Sequence, residues 1–180
     1  MRRGERAMTD PRAVEAFLEA APVGRLATVG EDGWPVIKPV NFVWADGAVY
    51  LHSAPAGEKM DHLRRDGRVC FEADLAIAYV KAGAAPCRAT CLYRSVVVRG
   101  RARVVEDREE KRRALALLLA KHEGPGDYPM ADGALDATAV VRIDVETVTG
   151  KESLGAGRVR EEAERALSCV VSLPLVLEGG

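Results

Sequence analysis

The stretch VYLHSAPAGEKMDHL, residues 49–63, ends a β-rich run with a histidine and a serine, turns through Ala-Pro-Ala-Gly, and opens a helical pattern with a lysine in its first turn. A helix start exposes unpaired backbone N–H groups and the positive end of the macrodipole, so it favours an anion, above all a phosphate. Lys59 would add a full positive charge there and Ser53 a hydroxyl donor. An ordinary solvated lysine and a turn serine are the competing reading. The imidazole of His52 can change charge near neutrality and so give or take a proton; alternatively it is a half-buried strand residue bonded to a carbonyl. Upstream, Lys38, Pro39, Val40 and Asn41 sit on a run where Pro35 and Pro39 cannot donate to a ladder, which leaves carbonyls free to face a ligand. His62 and His122 fit helix surfaces and receive no role.

Positioning these groups falls to about one domain of 180 residues, large enough to bury a core without staples. Twenty-six basic and 27 acidic residues leave a net charge of -1, so no global field draws the chain to nucleic acid or an anionic membrane, and neither is expected as a partner. Cys70, Cys87, Cys91 and Cys169 match neither paired metal hooks nor a disulfide framework, and Cys87 and Cys91 read as loop or buried thiols rather than a redox pair. The opening MRRGERAMTD lacks an apolar stretch behind its charges, and the late run CVVSLPLVLEGG is far shorter than the roughly 20 residues of a membrane span. A reducing cytoplasm is the expected setting.

Thr9 and Asp10 precede Pro11 and an amphipathic pattern with Val14, Phe17 and Leu18 on one stripe, which predicts a capped first helix. VGRLATVG, WPVIKPVNFVW and AVYLHSA are then β-rich runs separated by EDG and ADG turns, the second an edge, bulged or near something other than a strand. A short helix over GEKMDHLRR leads to a fourth strand, RVCFEAD, and a loop over residues 76–89. YRSVVVRGRARVVED reads as a long fifth strand with Val96, Val98, Ala102 and Val104 on its core face. REEKRRALALLLAKHE is a helix, GPGDYPMADGALD a loop, and ATAVVRIDVETVTG the sixth strand. This order predicts a mainly β domain, a small antiparallel barrel over residues 1–155. Residues 156–180 are expected to form a helix and apolar tail packed on the same domain or on a partner subunit.

In order, VGRLATVGEDGWPVIKPVNFVW, VYLHSAPAGEKMDHLRRDGRVCFE, YRSVVVRGRARVVED with EEKRRAL, and VVRIDVETVTGKES resemble the pyridoxamine phosphate oxidase-like, FMN-binding split-barrel superfamily, nearest its nitroimidazole-resistance branch, over residues 3–153. The resemblance implies a six-stranded antiparallel split barrel and a homodimer with FMN at the subunit interface. It also implies electron transfer from a reduced nicotinamide or another donor to a small aromatic or nitro acceptor. With no Rossmann glycine motif and no P-loop, NAD(P)H would visit only transiently. By position in the motifs, Lys59 and Ser53 would hold the phosphate, His52 would lie beside the ring as the catalytic proton donor, and Lys38, Pro39, Val40 and Asn41 would face the ring's polar edge. Arg94 or Ser95 of the matching Tyr-Arg-Ser would reach the cofactor across the dimer, and Lys151 is a weaker candidate for the ligand rim. Glu58 departs from the pattern, since relatives place a second basic residue there; Arg64 or an arginine of the fifth strand is available to make up the charge. Pyridoxal phosphate synthesis is disfavoured, because GAGRVREEAERALSCVV lacks the Trp and His of the true oxidases' C-terminal block. A non-catalytic flavin carrier or sensor is the alternative from another class, and a heme or deazaflavin binder a third.

Overall fold

The computed structural model describes residues 4–81 and 89–170. A 3-10 turn, Gly4–Arg6, precedes β1 (Ala7–Met8), α1 (Pro11–Ala20), β2 (Gly24–Val29), β3 (Pro35–Val40), β4 (Phe42–Ala45) and β5 (Ala48–Ser53). Then come α2 (Glu58–Arg65), β6 (Arg68–Val80), β7 (Thr90–Val104), α3 (Arg108–Glu123), α4 (Asp132–Ala137), β8 (Ala139–Ser153) and α5 (Arg158–Val170). One antiparallel sheet runs β3-β2-β6-β7-β8-β5-β4, with β1 paired to β8. Its two edges, β3 and β4, are separated in sequence only by Asn41. One residue spans less than about 8 Å, so the sheet must roll until its edges nearly meet. This is the antiparallel barrel that the strand order predicts, split as the resemblance implies.

The strand count differs from the expected six. Asn41 breaks the second run into two strands that belong to opposite edges, and Ala7–Met8 adds a short strand on β8. The expected loop over residues 76–89 is also corrected: β6 continues to Val80 and pairs with the start of β7, with a register irregularity between Ala76 and Ala78. That irregularity interrupts the alternation that would have marked the strand. Gly83, Pro86 and Cys87 lie outside the described residues, as does the tail after Val170. A short helix, α4, occupies part of the expected loop before β8, with Leu135 buried beneath it.

The core explains why the elements lie where they do. Asp10 caps α1 by accepting from the Arg12 amide at 2.9 Å, and Val14, Phe17 and Leu18 enter the barrel with Phe42, Leu51, Phe71 and Val98. Phe42 and Phe71 meet edge-on at 4.7 Å, and Gly24 is required beside them because a Cβ there would lie 2.1 Å from the Phe71 ring. Met60 and Leu63 of α2 join this core, so α2 plugs the barrel rather than lying on it. On the outer face, Ala114 and Leu118 of α3 cover Val43, Ala48, Tyr50 and Val140. Arg142 secures that helix: it donates to Tyr50 Oη at 2.7 Å, to Glu110 at 3.1 Å and to Asp144 at 2.6 Å. Val104, expected in the core, is exposed at the last position of β7, and Val105 is buried against α3 instead. Ala163 of α5 packs on Leu92 and Leu154. No helix among the described residues is long and apolar enough to cross a membrane.

Candidate functional site

The site is built at two neighbouring places, either side of β5. On the first side, β3 meets α2. Lys38 lies on the row of β3 that pairs with Leu26 and so faces inward, where its ammonium pairs with the carboxylate of Glu58, the first residue of α2. That bond holds the Glu58 carboxyl below its usual range. Lys59 follows, half-buried, its ammonium pushed below the ordinary lysine range by burial first and by the charge of Lys38 second. Among the described residues Lys59 has no hydrogen-bond or ion-pair partner. A partly desolvated cation beside a like charge and without a counter-ion favours an incoming anion.

The backbone is arranged to the same end. Gly57 caps α2 at φ 111°, ψ 168°, which a side chain would strain, and it supplies no capping side chain. The amides of Met60 and Asp61 return to Gly57 O at 2.8 and 3.1 Å, whereas those of Glu58 and Lys59 stand among the first helical N–H groups that have no intrahelical acceptor. Two contacts fix the helix in place. His62, expected on a helix surface, is buried with Nδ1 3.0 Å from Thr28 Oγ1 of β2. Arg64 donates to Pro55 O at 2.6 Å and to Asp61 at 3.3 Å, so it braces the turn and does not replace the basic residue missing at position 58.

On the second side, Asn41 and His52 line a cavity of about 380 Å³ with Leu115, Leu118, Leu119 and His122 of α3 and Met130, Ala134 and Thr138 around α4. The register explains the pairing: Phe42 lies opposite Leu51, so Asn41, just before β4, falls beside His52 near the end of β5. His52 shares the outward row with Val140 and Ser53 the inward row with Ala139, so the neighbouring histidine and serine serve opposite sides of β5. Ser53 faces the side of α2, His52 the side of α3.

The remaining predicted residues divide. Val40 is buried in the core, which leaves only its backbone for a ligand, and Pro39 is exposed on the outward row. Arg94 donates to Glu152 at 2.9 Å and lines a different cavity with Phe17, Leu75 and Leu167, while Ser95 points to the other face of the sheet beside Asp74 and Lys151. Neither joins the two places above. His122 is the residue sequence reading missed. It follows Ala114 and Leu118 at intervals of four, so it continues the buried stripe of α3, and that periodicity was the available signal. Its Nε2 is buried without a hydrogen-bond partner, and burial, with Lys121 and His52 nearby, lowers its pKa.

An open antiparallel barrel with a lysine-lined, uncapped helix start at its rim defines the split-barrel class. The chain belongs to the pyridoxamine 5'-phosphate oxidase family, whose model matches residues 10–152. Among solved structures it is similar to a 5-nitroimidazole antibiotic resistance protein from Bacteroides thetaiotaomicron, with 27% identity over 81% of this chain and 86% of that one and a TM-score of 0.73. It is also similar to the flavocytochrome Anf3 from Azotobacter vinelandii, with 26% identity, 88% and 74% coverage and a TM-score of 0.73. A FAD-binding protein from Mesorhizobium loti shares 28% identity over 80% of this chain and 95% of that one, at a TM-score of 0.57. No curated protein gives a significant match.

Proposed function

We propose that this protein binds FMN and, as a cytoplasmic homodimer, passes electrons from a reduced nicotinamide or another donor to a small aromatic or nitro acceptor. The observation that carries the reading is Lys59: a half-buried cation without a counter-ion, in the first turn of a helix whose cap is a glycine. A terminal phosphate of nearly two negative charges fits that place. The names of the Azotobacter and Mesorhizobium relatives point to flavin among similar chains. A helix end supplies about 0.3 to 2 kcal/mol, whereas micromolar retention needs roughly 8, so the ring must contribute most of the affinity.

The chain's residues divide the work. Lys59, the first amides of α2 and Ser53 hold the phosphate, while the charge of Lys38 is taken up by Glu58. Asn41 and the free backbone edge of β3 meet the ring's polar groups. A bound flavin supplies two-electron hydride chemistry. His52, as imidazolium, hands a proton to the reduced acceptor. A second subunit supplies the other side of the ring: on the outward face Ile37 is 65% exposed beside half-buried Ala27 and Cys70, which suits a self-complementary contact.

The test is titration of the purified protein with FMN and with riboflavin, which lacks the phosphate, following the melting temperature and the visible spectrum. FMN should bind at least tenfold more tightly, to a dimer by light scattering, and the loaded protein should oxidise NADH above the free-FMN background. Equal affinity for the two flavins would remove the phosphate site. A second reading, a flavin-binding module without turnover, is favoured by the Mesorhizobium relative, whose name states binding alone; nicotinamide oxidation no faster than background would establish it.

A further inference from the structure

We infer that Arg64 is the positioning residue of the phosphate cradle: from the last turn of α2 it grips Pro55 O and so fixes how Ser53 stands relative to the first amides of α2. This rests on the phosphate reading above and adds to it the residue that keeps the cradle in shape without touching the ligand.

The cradle comes in two pieces. Ser53 ends β5, where it lies opposite Ala139 of β8, whereas Lys59 and the first amides belong to α2. Residues 54–57 join the two, and all four are exposed. A Cβ at Gly57 would meet nothing within 4 Å, so no packing holds the turn there. The turn's own bonding is one-sided: Gly57 O accepts from the amides of Met60 and Asp61, both in the helix, and Pro55 has no N–H to give. Arg64 supplies the tie across it, donating from Nη2 to Pro55 O at 2.6 Å and from Nη1 to Asp61 at 3.3 Å. One planar guanidinium thus bonds the turn and the first turn of the helix together. Without that bond the turn samples more shapes, and a ligand must order it on binding, which costs affinity.

The next residue supplies the contrast. Arg65 is exposed like Arg64 and also donates to a backbone carbonyl, but to that of Val29 at the end of β2. His62 meets Thr28 beside it. These two bonds tie the helix to the sheet and leave the turn alone. If tethers of α2 mattered only for stability, the two arginines would be equivalent. If the shape of the cradle matters, only Arg64 touches it. The Arg64 charge is paired with Asp61 and open to solvent, so its contribution is one of shape rather than of attraction.

The experiment has two arms. In the first, wild type, Arg64→Gln, Arg64→Lys and Arg65→Gln are titrated with FMN and with riboflavin over a range of salt concentrations. Arg64→Gln should lower the preference for FMN over riboflavin by about three- to tenfold, the net worth of one hydrogen bond, with the salt dependence of FMN binding as in wild type. Arg64→Lys keeps the charge without the two-pronged fork and should recover less than half of the loss. Arg65→Gln should keep the full preference, however far its melting temperature falls. An unchanged preference in Arg64→Gln overturns the inference, as does an equal loss in Arg65→Gln. Full recovery in Arg64→Lys, or a shallower salt dependence in Arg64→Gln, also overturns it, since either makes Arg64 a source of charge. In the second arm, amide hydrogen exchange is followed by NMR in the protein without flavin. Exchange at Met60 and Asp61, whose amides return to Gly57 O, should quicken several-fold in Arg64→Gln and not in Arg65→Gln; equal rates overturn the inference. Wild type that binds FMN no more tightly than riboflavin removes the phosphate reading instead, and the exchange arm then still reports whether Arg64 holds the turn.

Discussion

Replacing Lys121 with methionine should stabilise the protein near neutral pH and erase a rise in stability at alkaline pH. The Lys121 side chain runs from α3 over the Phe42 ring toward the carbonyl of Leu18, and burial lowers its pKa from 10.5 to about 8. At about 1.4 kcal/mol per unit, that displacement corresponds to roughly 3 kcal/mol, reduced wherever water reaches the ammonium. In the unfolded chain the lysine keeps its proton up to about pH 10.5, whereas in the folded protein it loses it near 8. Between these values the unfolded state binds more protons, so stability rises with pH; below 8 both states are charged and the full penalty stands. Methionine keeps an unbranched apolar stem without the charge, at the loss of the bond to Leu18 O and the contact with Phe42. Other groups titrate in the same window, so the quantity to follow is the difference between wild type and Lys121→Met in urea melts from pH 7 to 10.5. The variant should be more stable at pH 7 by up to roughly 3 kcal/mol, or about 6–12 °C in Tm for a chain of this size, and the gap should close above pH 8. A gap that stays constant with pH would refute the reasoning.

Lys59→Met should weaken FMN at least tenfold while leaving riboflavin nearly unchanged, measured by fluorescence quenching of the two flavins. Glu58→Gln frees the Lys38 ammonium from its present partner and should tighten FMN several-fold, with a steeper loss of affinity as salt is added. Gly57→Ala places a side chain at φ 111° and should cost about 1–3 kcal/mol in denaturant melts, together with a loss of FMN affinity because the first amides of α2 shift.

Much of the scaffold could be read from residue order. Val14, Phe17 and Leu18 at helical spacing identified α1, and Pro35 and Pro39, unable to donate to a ladder, left the second run as an edge, a bulge or a neighbour of something other than a strand, of which β3 is an edge. The break at Asn41 was not legible. A strand that changes edges keeps its β-rich composition, and only the pairing of Val40 with Gly24 and of Phe42 with Leu51 reveals the change. The extension of β6 was hidden by its irregularity at Ala76 to Ala78. At the site, the helix start and Lys59 could be located from the Ala-Pro-Ala-Gly turn. The pairing of Lys38 with Glu58 joins residues 20 apart in sequence through tertiary structure alone, so no local pattern announces it. His62 and His122 were both assigned to helix surfaces because a polar residue on a short helix reads as solvated. Thr28 from β2 satisfies the first, and the fold leaves the second unsatisfied.

The step at Asn41 also ties the margins of the sheet into one mechanical unit. A one-residue slip would turn every side chain over, so the plausible misfolded competitor is a slide by two, about 7 Å. For β3 to slide that far along β2, it would have to drag β4 the same distance along β5 through a tether with no slack. The barrel thus checks its own alignment at two seams at once, and an inserted residue beside Asn41 would release that check while leaving both strands' sequences intact.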